Sequence, residues 1–335
     1  MANTGNSNLH KSRSGRQDEF YTQLSTIEDE LSHYKEYFKD KIVFCNCDDP
    51  AIGIDGQDHY GDGNGGYTSE FYRYFKIYFG ELGIKKLITT HYDPNKPTYK
   101  VELTSADGEP VTTPLKQNGD FRSPECMALL EEADIVVTNP PFSKMREYLP
   151  LLVKSGKQFI VLGNMNHATY VENFIYFLQG KVWLGYNSGH FWFKVPDYYE
   201  VKNTDFKIDE NGQKWRRLGN ICWFTNIYVE KRHEPLVLYK KYKGKENEYP
   251  MYDNFEAIHV KKVADIPRDY DGIIGVPITY LASHCDEQFD IVGELKHGCD
   301  SEYDLVAPCL NGKSVFTRIA IRNKNPQTEE EEDEY

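Results

Sequence analysis

Apolar residues recur at Leu24, Ile27, Leu31 and Tyr34 with helical spacing, which predicts a helix within Asp18–Phe38. The next apolar run, Ile42 to Cys47, stops at Asp48-Asp49-Pro50. Its shortness and the turn residues that bound it predict a buried strand ending in a loop. Residues 53–66, GIDGQDHYGDGNGG, are too glycine-rich for a regular element and predict an exposed loop. A helix over Ser69–Leu82 and a strand over Lys86–Thr90 follow, the strand ending at His91-Tyr92-Asp93. Residues 94–118 mix Pro, Gly and polar side chains and leave room for a hairpin. Then come a helix at Ser123–Ala133, a strand at Asp134–Thr138, a helix at Lys144–Val153 and a strand at Lys157–Leu162. Strands alternating with helices predict an α/β fold with a mostly parallel sheet covered on both faces. Past residue 180 the texture changes. Short aromatic strands, Val182–Gly185, Gly189–Lys194 and Asn220–Asn226, alternate with turns, and beyond Val229 basic and aromatic residues accumulate.

Composition narrows the class. A chain of 335 residues with 39% hydrophobic positions is long enough for one large α/β domain with an appended lobe, or two modest domains. The formal net charge is -13, and the run Glu329-Glu330-Glu331-Glu332-Asp333-Glu334 carries a large part of it. Such a block predicts a solvated, disordered tail, here 326–335. An acidic balance argues against coating nucleic acid by bulk charge, but it is compatible with a local basic groove. The polar stretch 1–17, with Lys11, Arg13 and Arg16, predicts a flexible basic arm.

No apolar stretch approaches the ~20 residues a spanning helix needs. The N-terminus has no apolar core segment, so no secretory signal is expected. The 7 cysteines include no CxxC pair, which predicts a reduced cytoplasmic protein without a disulfide or zinc scaffold. Asp55, Asp58, Asp62 and Asn64 lack the ligand spacing and closing glutamate of a calcium-binding EF-hand loop, so no metal site is expected.

The sharpest chemical signal is Asn139-Pro140-Pro141-Phe142, directly after the strand Ile135–Val137. In open α/β sheets ligands bind at the carboxyl ends of strands. The Asn139 side-chain oxygen can accept a hydrogen bond from an amino group. Pro140 and Pro141 fix the backbone and donate nothing, so a main-chain carbonyl can be aimed as a second acceptor. Phe142 offers an aromatic face to a planar ring. Two acceptors and a stacking face suit an exocyclic amino group on a flat heterocycle, and adenine N6 fits. Its lone pair is delocalised into the ring. Two acceptors pulling on its hydrogens favour a pyramidal nitrogen whose lone pair points at an electrophile, which stabilises the transition state more than the ground state.

With these residues in view, the chain resembles the EcoRI-type family of adenine-specific DNA methyltransferases. The segments that carry the resemblance are Asp18-Glu19-Phe20-Tyr21-Thr22-Gln23, Phe44 through Pro50, Gly119-Asp120-Phe121-Arg122-Ser123, and Asp134 through Ser143. Arg146 to Leu149, Val182 to Gly185, Tyr270 to Gly272 and Gly275 to Thr279 add to it. The resemblance implies a Rossmann-like class I methyltransferase sheet that uses S-adenosylmethionine, with a C-terminal DNA-recognition region. It implies methyl transfer to N6 of an adenine flipped out of double-stranded DNA, as the modification enzyme of a restriction-modification system or an orphan or phage equivalent. A cognate restriction endonuclease would then be a functional rather than a physical partner, and no membrane is involved. The corresponding division is a catalytic domain over 18–228 and a recognition region over 229–325.

Site residues follow from the same resemblance. Phe20, Tyr21 and Thr22 match the N-terminal cofactor-contacting motif, although Thr22 also suits a helix cap. Asp120 would accept from the cofactor's adenine amino group, and Phe121 would lie against its ring. Cys47-Asp48-Asp49-Pro50 stands where many methyltransferases carry a glycine loop, and here the GxG pattern is absent. Asp48 is favoured for the methionine end, with Asp49 beside it and Pro50 shaping the loop. Asp93, at the end of the second strand, is the candidate for the ribose hydroxyls. Trp223-Phe224-Thr225-Asn226 suits either a target pocket or core packing. DNA contact is assigned to Lys231, Arg232, Lys240, Lys241, Lys261 and Lys262, with Lys11, Arg13 and Arg16 wrapping the backbone. Two alternatives remain: a protein glutamine N5-methyltransferase, whose substrate also presents a planar amide nitrogen, and a catalytically inactive DNA- or cofactor-binding protein.

Overall fold

The computed structural model describes residues 20–48, 69–93, 97–196, 199–295 and 307–327. Lys11, Arg13, Arg16, Asp49, Pro50, the glycine-rich run 53–66 and the acidic run 329–334 lie outside the described residues. The chain divides into two compact units, 1–164 with 185–227, and 165–184 with 228–335. The stretch 165–184 thus groups with the later part of the chain, because its helix, Val171–Leu178, packs on a strand there.

The first unit is built on a nine-stranded sheet. Its strands are β1 (Ile42–Cys45), β2 (Lys86–Thr90), β3 (Tyr99–Leu103), β4 (Val111–Pro114), β5 (Ile135–Thr138), β6 (Gln158–Asn164), β7 (Trp183–Lys194), β8 (Phe206–Ile208) and β9 (Lys214–Thr225). The order is β4-β3-β2-β1-β5-β6-β9-β7, with β8 paired to β9. Only the centre is parallel: β1 pairs in parallel with β2 and with β5, and β5 with β6. The β3–β4 hairpin and β9 add antiparallel pairings. The sheet is therefore mixed, not mostly parallel as the helix–strand alternation predicts.

The central strands are continuous apolar runs, and Val43, Phe44, Leu87, Ile88, Ile135, Val136, Phe159 and Ile160 are all fully buried. Burial at successive positions means both faces of the sheet are covered. Each of the larger of these side chains stabilises the fold by about 1.5–3 kcal/mol relative to leaving it in water. The helices are α1 (Leu24–Leu31), α2 (Glu70–Ile77), α3 (Phe79–Leu82), α4 (Pro124–Glu132) and α5 (Met145–Ser155). Ser69 caps α2 and Ser123 caps α4 through their hydroxyls, and Gly83 and Gly156 end α3 and α5 in the left-handed conformation. Because β1 pairs with β2 on one side and β5 on the other, the strand order reverses at β1. Such a reversal opens a crevice at the carboxyl ends of the strands.

In the second unit α6 (Val171–Leu178) accompanies a four-stranded sheet of β10 (Ala257–His259), β11 (Ile273–Pro277), β12 (Phe289–Leu295) and β15 (Arg318–Asn323). A small hairpin joins β13 (Cys309–Leu310) to β14 (Lys313–Ser314). Among the described residues no helix is long and apolar enough to cross a membrane.

The helical stretch predicted within Asp18–Phe38 is α1 followed by a 3-10 helix, Ser32–Tyr37. Residue 21 pairs with Lys194 of β7 through two backbone hydrogen bonds of 3.0 and 3.1 Å, so the chain is extended before α1 begins. A fully buried carboxylate then clamps α1 to β7. Glu30 accepts from the Tyr34 hydroxyl at 3.0 Å, the Tyr186 and Asn187 N–H groups at 2.9 and 2.8 Å, and Asn187 Nδ2 at 3.0 Å. Burial pushes its carboxyl pKa up, against the pull of these four donors. The carboxylate fits because Gly185 has no side chain, and a Cβ there would fall 2.0 Å from Glu30 Oε1. Gly185→Ala is therefore expected to destabilise the protein by about 1–3 kcal/mol, seen as a lower urea midpoint. An unchanged midpoint would show that the clamp does not hold α1.

Candidate active site

The crevice is lined by three strand ends. After β1 come Asn46, Cys47 and Asp48, after β2 His91 to Asp93, and after β5 Asn139 to Phe142. Asp48 is buried, and its carboxylate ties two of these ends together. Oδ1 accepts from the Ser69 hydroxyl at 2.8 Å. Oδ2 accepts from the Thr138 hydroxyl and from the Asn139 N–H at 3.4 Å. Thr138 Oγ1 in turn accepts from the Cys47 N–H at 3.2 Å. The backbone entering Asn139 is thus fixed from the β1 side.

The Asn139 side chain is fixed at its other end. Nδ2 donates to the Phe20 carbonyl, which dictates the amide's orientation. Oδ1 is then buried with no hydrogen-bond partner among the described residues. The Pro140 carbonyl likewise accepts no hydrogen bond from the described residues. Two acceptor oxygens therefore stand free in one tight turn. The turn leads into a short 3-10 helix, Phe142–Lys144, where Lys144 N donates to the Pro141 carbonyl at 2.9 Å.

Phe142 is 3% exposed, and the half-buried Phe20 ring covers it at 5.7 Å between centroids. Phe20 also meets Phe193 at 5.9 Å and Tyr199 at 6.2 Å. A planar ring reaching Phe142 has to displace or slide past Phe20. Thr22 does not cap α1, whose N-cap is Gln23. Its hydroxyl is buried without a hydrogen-bond partner among the described residues, a second polar orphan beside that of Asn139.

Asp93 and Asp120 are brought together by Asn118. The Asn118 carbonyl accepts from Asp93 N at 3.0 Å, and its side-chain oxygen accepts from Asp120 N at 3.2 Å. Gly119 makes this possible: its φ is +75°, and a Cβ there would lie 2.0 Å from the His91 carbonyl. Arg122 holds the Asp120 carboxylate through Nε at 2.9 Å and Nη2 at 2.7 Å, and reaches Glu147 through Nη1. The hydrogen bond from Arg122 keeps the Asp120 carboxyl below its ordinary range, so it is ionised at neutral pH and retains room to accept. Phe121 packs edge-on against Tyr148 at 5.0 Å, and the Tyr148 hydroxyl donates to Asn46 Oδ1. Burial pushes the Tyr148 pKa up, so the phenol remains a donor.

The model of a family described as adenine-specific methyltransferase EcoRI matches residues 8–334. The chain belongs to the EcoRI family of adenine-specific DNA methyltransferases. Type II methyltransferase M.EcoRI of Escherichia coli is 41% identical, over 97% of this chain and 99% of the relative. M.MgeORF184P of Mycoplasma genitalium is 35% identical over 94% and 98%, and M.MpnI of Mycoplasma pneumoniae 34% over 85% and 84%. No solved structure matches the chain.

Within this methyltransferase, Trp223 and Phe224 are fully buried in β9, and Thr225 and Asn226 hydrogen-bond to the backbone of residues 157 and 159. Here they pack the core. Lys231, Arg232, Lys240, Lys241, Lys261 and Lys262 all lie in the second unit. Arg232 is committed there: it pairs with Asp286 and lies 4.2 Å from the Trp183 ring centroid. Lys240 and Lys241 are half-buried, whereas Lys261 and Lys262 are exposed.

Three contributors escape the sequence reading. Ser69 and Thr138 hold Asp48, and Arg122 holds Asp120. Ser69 carries a cap signal, but nothing local marks either hydroxyl as a partner of a carboxylate far along the chain. Thr138→Val removes a donor from a buried carboxylate, at a cost of about 1–3 kcal/mol. We expect a lower urea midpoint together with a methyl-transfer rate down about tenfold. A variant with wild-type rate and stability would remove Thr138 from the site.

Proposed function

We propose that this methyltransferase moves the methyl group of S-adenosylmethionine to N6 of an adenine extruded from duplex DNA. The observation that carries the reading is the pair of unsatisfied acceptors, Asn139 Oδ1 and the Pro140 carbonyl, at the end of β5. A buried acceptor without a donor costs stability and persists where a ligand supplies the donor. An exocyclic amino group has two hydrogens for these two oxygens. The adenine specificity of the family disfavours a glutamine amide as the acceptor.

Bound S-adenosylmethionine supplies an electrophilic methyl group on a sulfonium sulfur. The residues present suit such a ligand. Asp120 and Phe121 fit its adenine, Asp93 its ribose, and the Thr22 hydroxyl with Tyr21 and Phe20 its amino-acid end. Asp48, held by three donors, serves best as the strut that fixes Asn139. Its negative charge also favours a cation in the crevice.

This chain's part in the reaction is positional and electrostatic. Asn139 and Pro140 draw on the amino hydrogens and hold the nitrogen lone pair toward the methyl donor. Phe142, once Phe20 yields, stacks on the base. A base inside a duplex cannot reach a buried turn, so extrusion is required. The nitrogen releases its proton to water after transfer, and no strong general base is needed. Alignment and exclusion of water supply the rate.

The strand order that reverses at β1 supports a Rossmann-like class I architecture. The second unit, with exposed Lys261 and Lys262, is the proposed recognition region. The type II naming of the relatives supports a role beside a restriction endonuclease in the cytoplasm.

Asn139→Ala is expected to lower single-turnover methyl transfer to duplex DNA by about 100-fold or more, with S-adenosylmethionine affinity by calorimetry within a few-fold of wild type. Retained activity in this variant would overturn the assignment.

A further inference from the structure

Phe316 is 78% exposed, on the segment that joins β14 to β15. Tyr239 is as exposed, but its hydroxyl can face water, whereas Phe316 has no polar tip. The segment is held on both sides of the ring. Val315 N donates to the Pro308 carbonyl at 2.8 Å, and the Val315 side chain packs against the core cluster of Tyr252, Ala257, Leu295 and Ala320. Arg318 Nη1 donates to the carbonyls of Phe316 and Thr317, each at 3.2 Å. The hairpin before it is also pinned, since the Asp253 carboxylate accepts from the N–H groups of Asn311 at 3.1 Å and Gly312 at 2.7 Å. A large apolar ring is thus displayed on a rigid mount, a state that costs free energy unless a partner covers it.

Two exposed lysines belong to the same unit. Lys313 and Lys261 are exposed, and neither has a carboxylate partner among the described residues. Lys261 follows β10, which pairs with β11, and β11 pairs with β15 at Pro277 and Arg318, so Lys261 and the start of β15 lie at the same end of one sheet. The carboxylate that pins the hairpin, Asp253, is held by backbone N–H groups. An exposed apolar ring three residues beyond Lys313, with Lys261 just past a strand of the same sheet, fits a polyanion that carries flat, stackable rings.

We infer that Phe316 is a wedge that inserts at a base step of the duplex, with Lys313 and Lys261 on the flanking phosphates. The inference rests on duplex DNA being the substrate. Apolar side chains that enter a base step unstack it, and the ring recovers part of that cost by stacking on the exposed base.

The test uses the full-length protein and a duplex that contains the site mapped by sequencing methylated genomic DNA, with 2-aminopurine placed at successive positions. Wild type is expected to raise fluorescence at one step besides the target adenine. Phe316→Ala should lose that second signal and bind the duplex about tenfold more weakly, with cofactor affinity and urea midpoint unchanged. Phe316→Trp should keep both. The double variant Lys313→Gln/Lys261→Gln should keep the signal and lower the slope of log affinity against log salt by about two. Wild-type affinity and fluorescence in Phe316→Ala would overturn the wedge. So would weaker binding with an unchanged fluorescence pattern, or a change confined to self-association in sedimentation. If wild type methylates no duplex at all, the substrate reading fails instead.

Discussion

Everything at the site depends on one side-chain amide that is tied at one end and open at the other. Asn139 gives its Nδ2 hydrogen to the Phe20 carbonyl, so its oxygen is left as a buried acceptor with no partner among the described residues. An asparagine free to rotate would present donor and acceptor interchangeably. Here the backbone of the N-terminal segment removes that freedom. The two prolines that follow do the same for the Pro140 carbonyl by fixing the main chain. In the proposed reaction these two oxygens form an acceptor pair organised before any amino group arrives, which is the arrangement electrostatic catalysis requires.

This arrangement is costly, and the cost is offset nearby. An unsatisfied buried oxygen destabilises by about 1–3 kcal/mol. Against it stand the hydroxyls of Ser69 and Thr138 on Asp48, and the Glu30 clamp that secures α1 behind Phe20. Buried carboxylates are expensive unless saturated with donors, and each of these two is well supplied. They make the strand ends and the N-terminal segment one stiff frame. Phe20 therefore has two roles: its carbonyl orients Asn139, and its half-buried ring lies over Phe142. In the proposed reaction, access of a base and the orientation of the amide are coupled through one residue.

Much of this is legible in the chain, and the illegible part has a common cause. The strand Lys86–Thr90 is readable to the residue because an apolar run ends at turn-forming polar residues. Asn139 to Phe142 is readable because the chemistry sits in four adjacent positions, two of them proline. The mixed character of the sheet is not, since a strand's direction depends on its partner and not on its own residues. Nor is the role of Glu30, which occupies a position on α1 that spacing alone does not mark as buried. Thr138 and Asp48 lie 90 residues apart, and only the parallel pairing of β1 with β5 brings them into contact. Among the aromatic candidates, Phe142 is marked by its prolines, whereas Trp223 reads equally as pocket or core. The fold separates them, placing one in the sheet core and the other at a strand end.

The most direct test is an atomic structure of the enzyme with its unmethylated duplex site and an unreactive analogue of the methyl donor. The account predicts an extruded adenine whose N6 lies within hydrogen-bond distance of both Asn139 Oδ1 and the Pro140 carbonyl, with Nδ2 still bonded to the Phe20 carbonyl. An adenine held elsewhere, or an Asn139 oxygen turned away from N6, would contradict it.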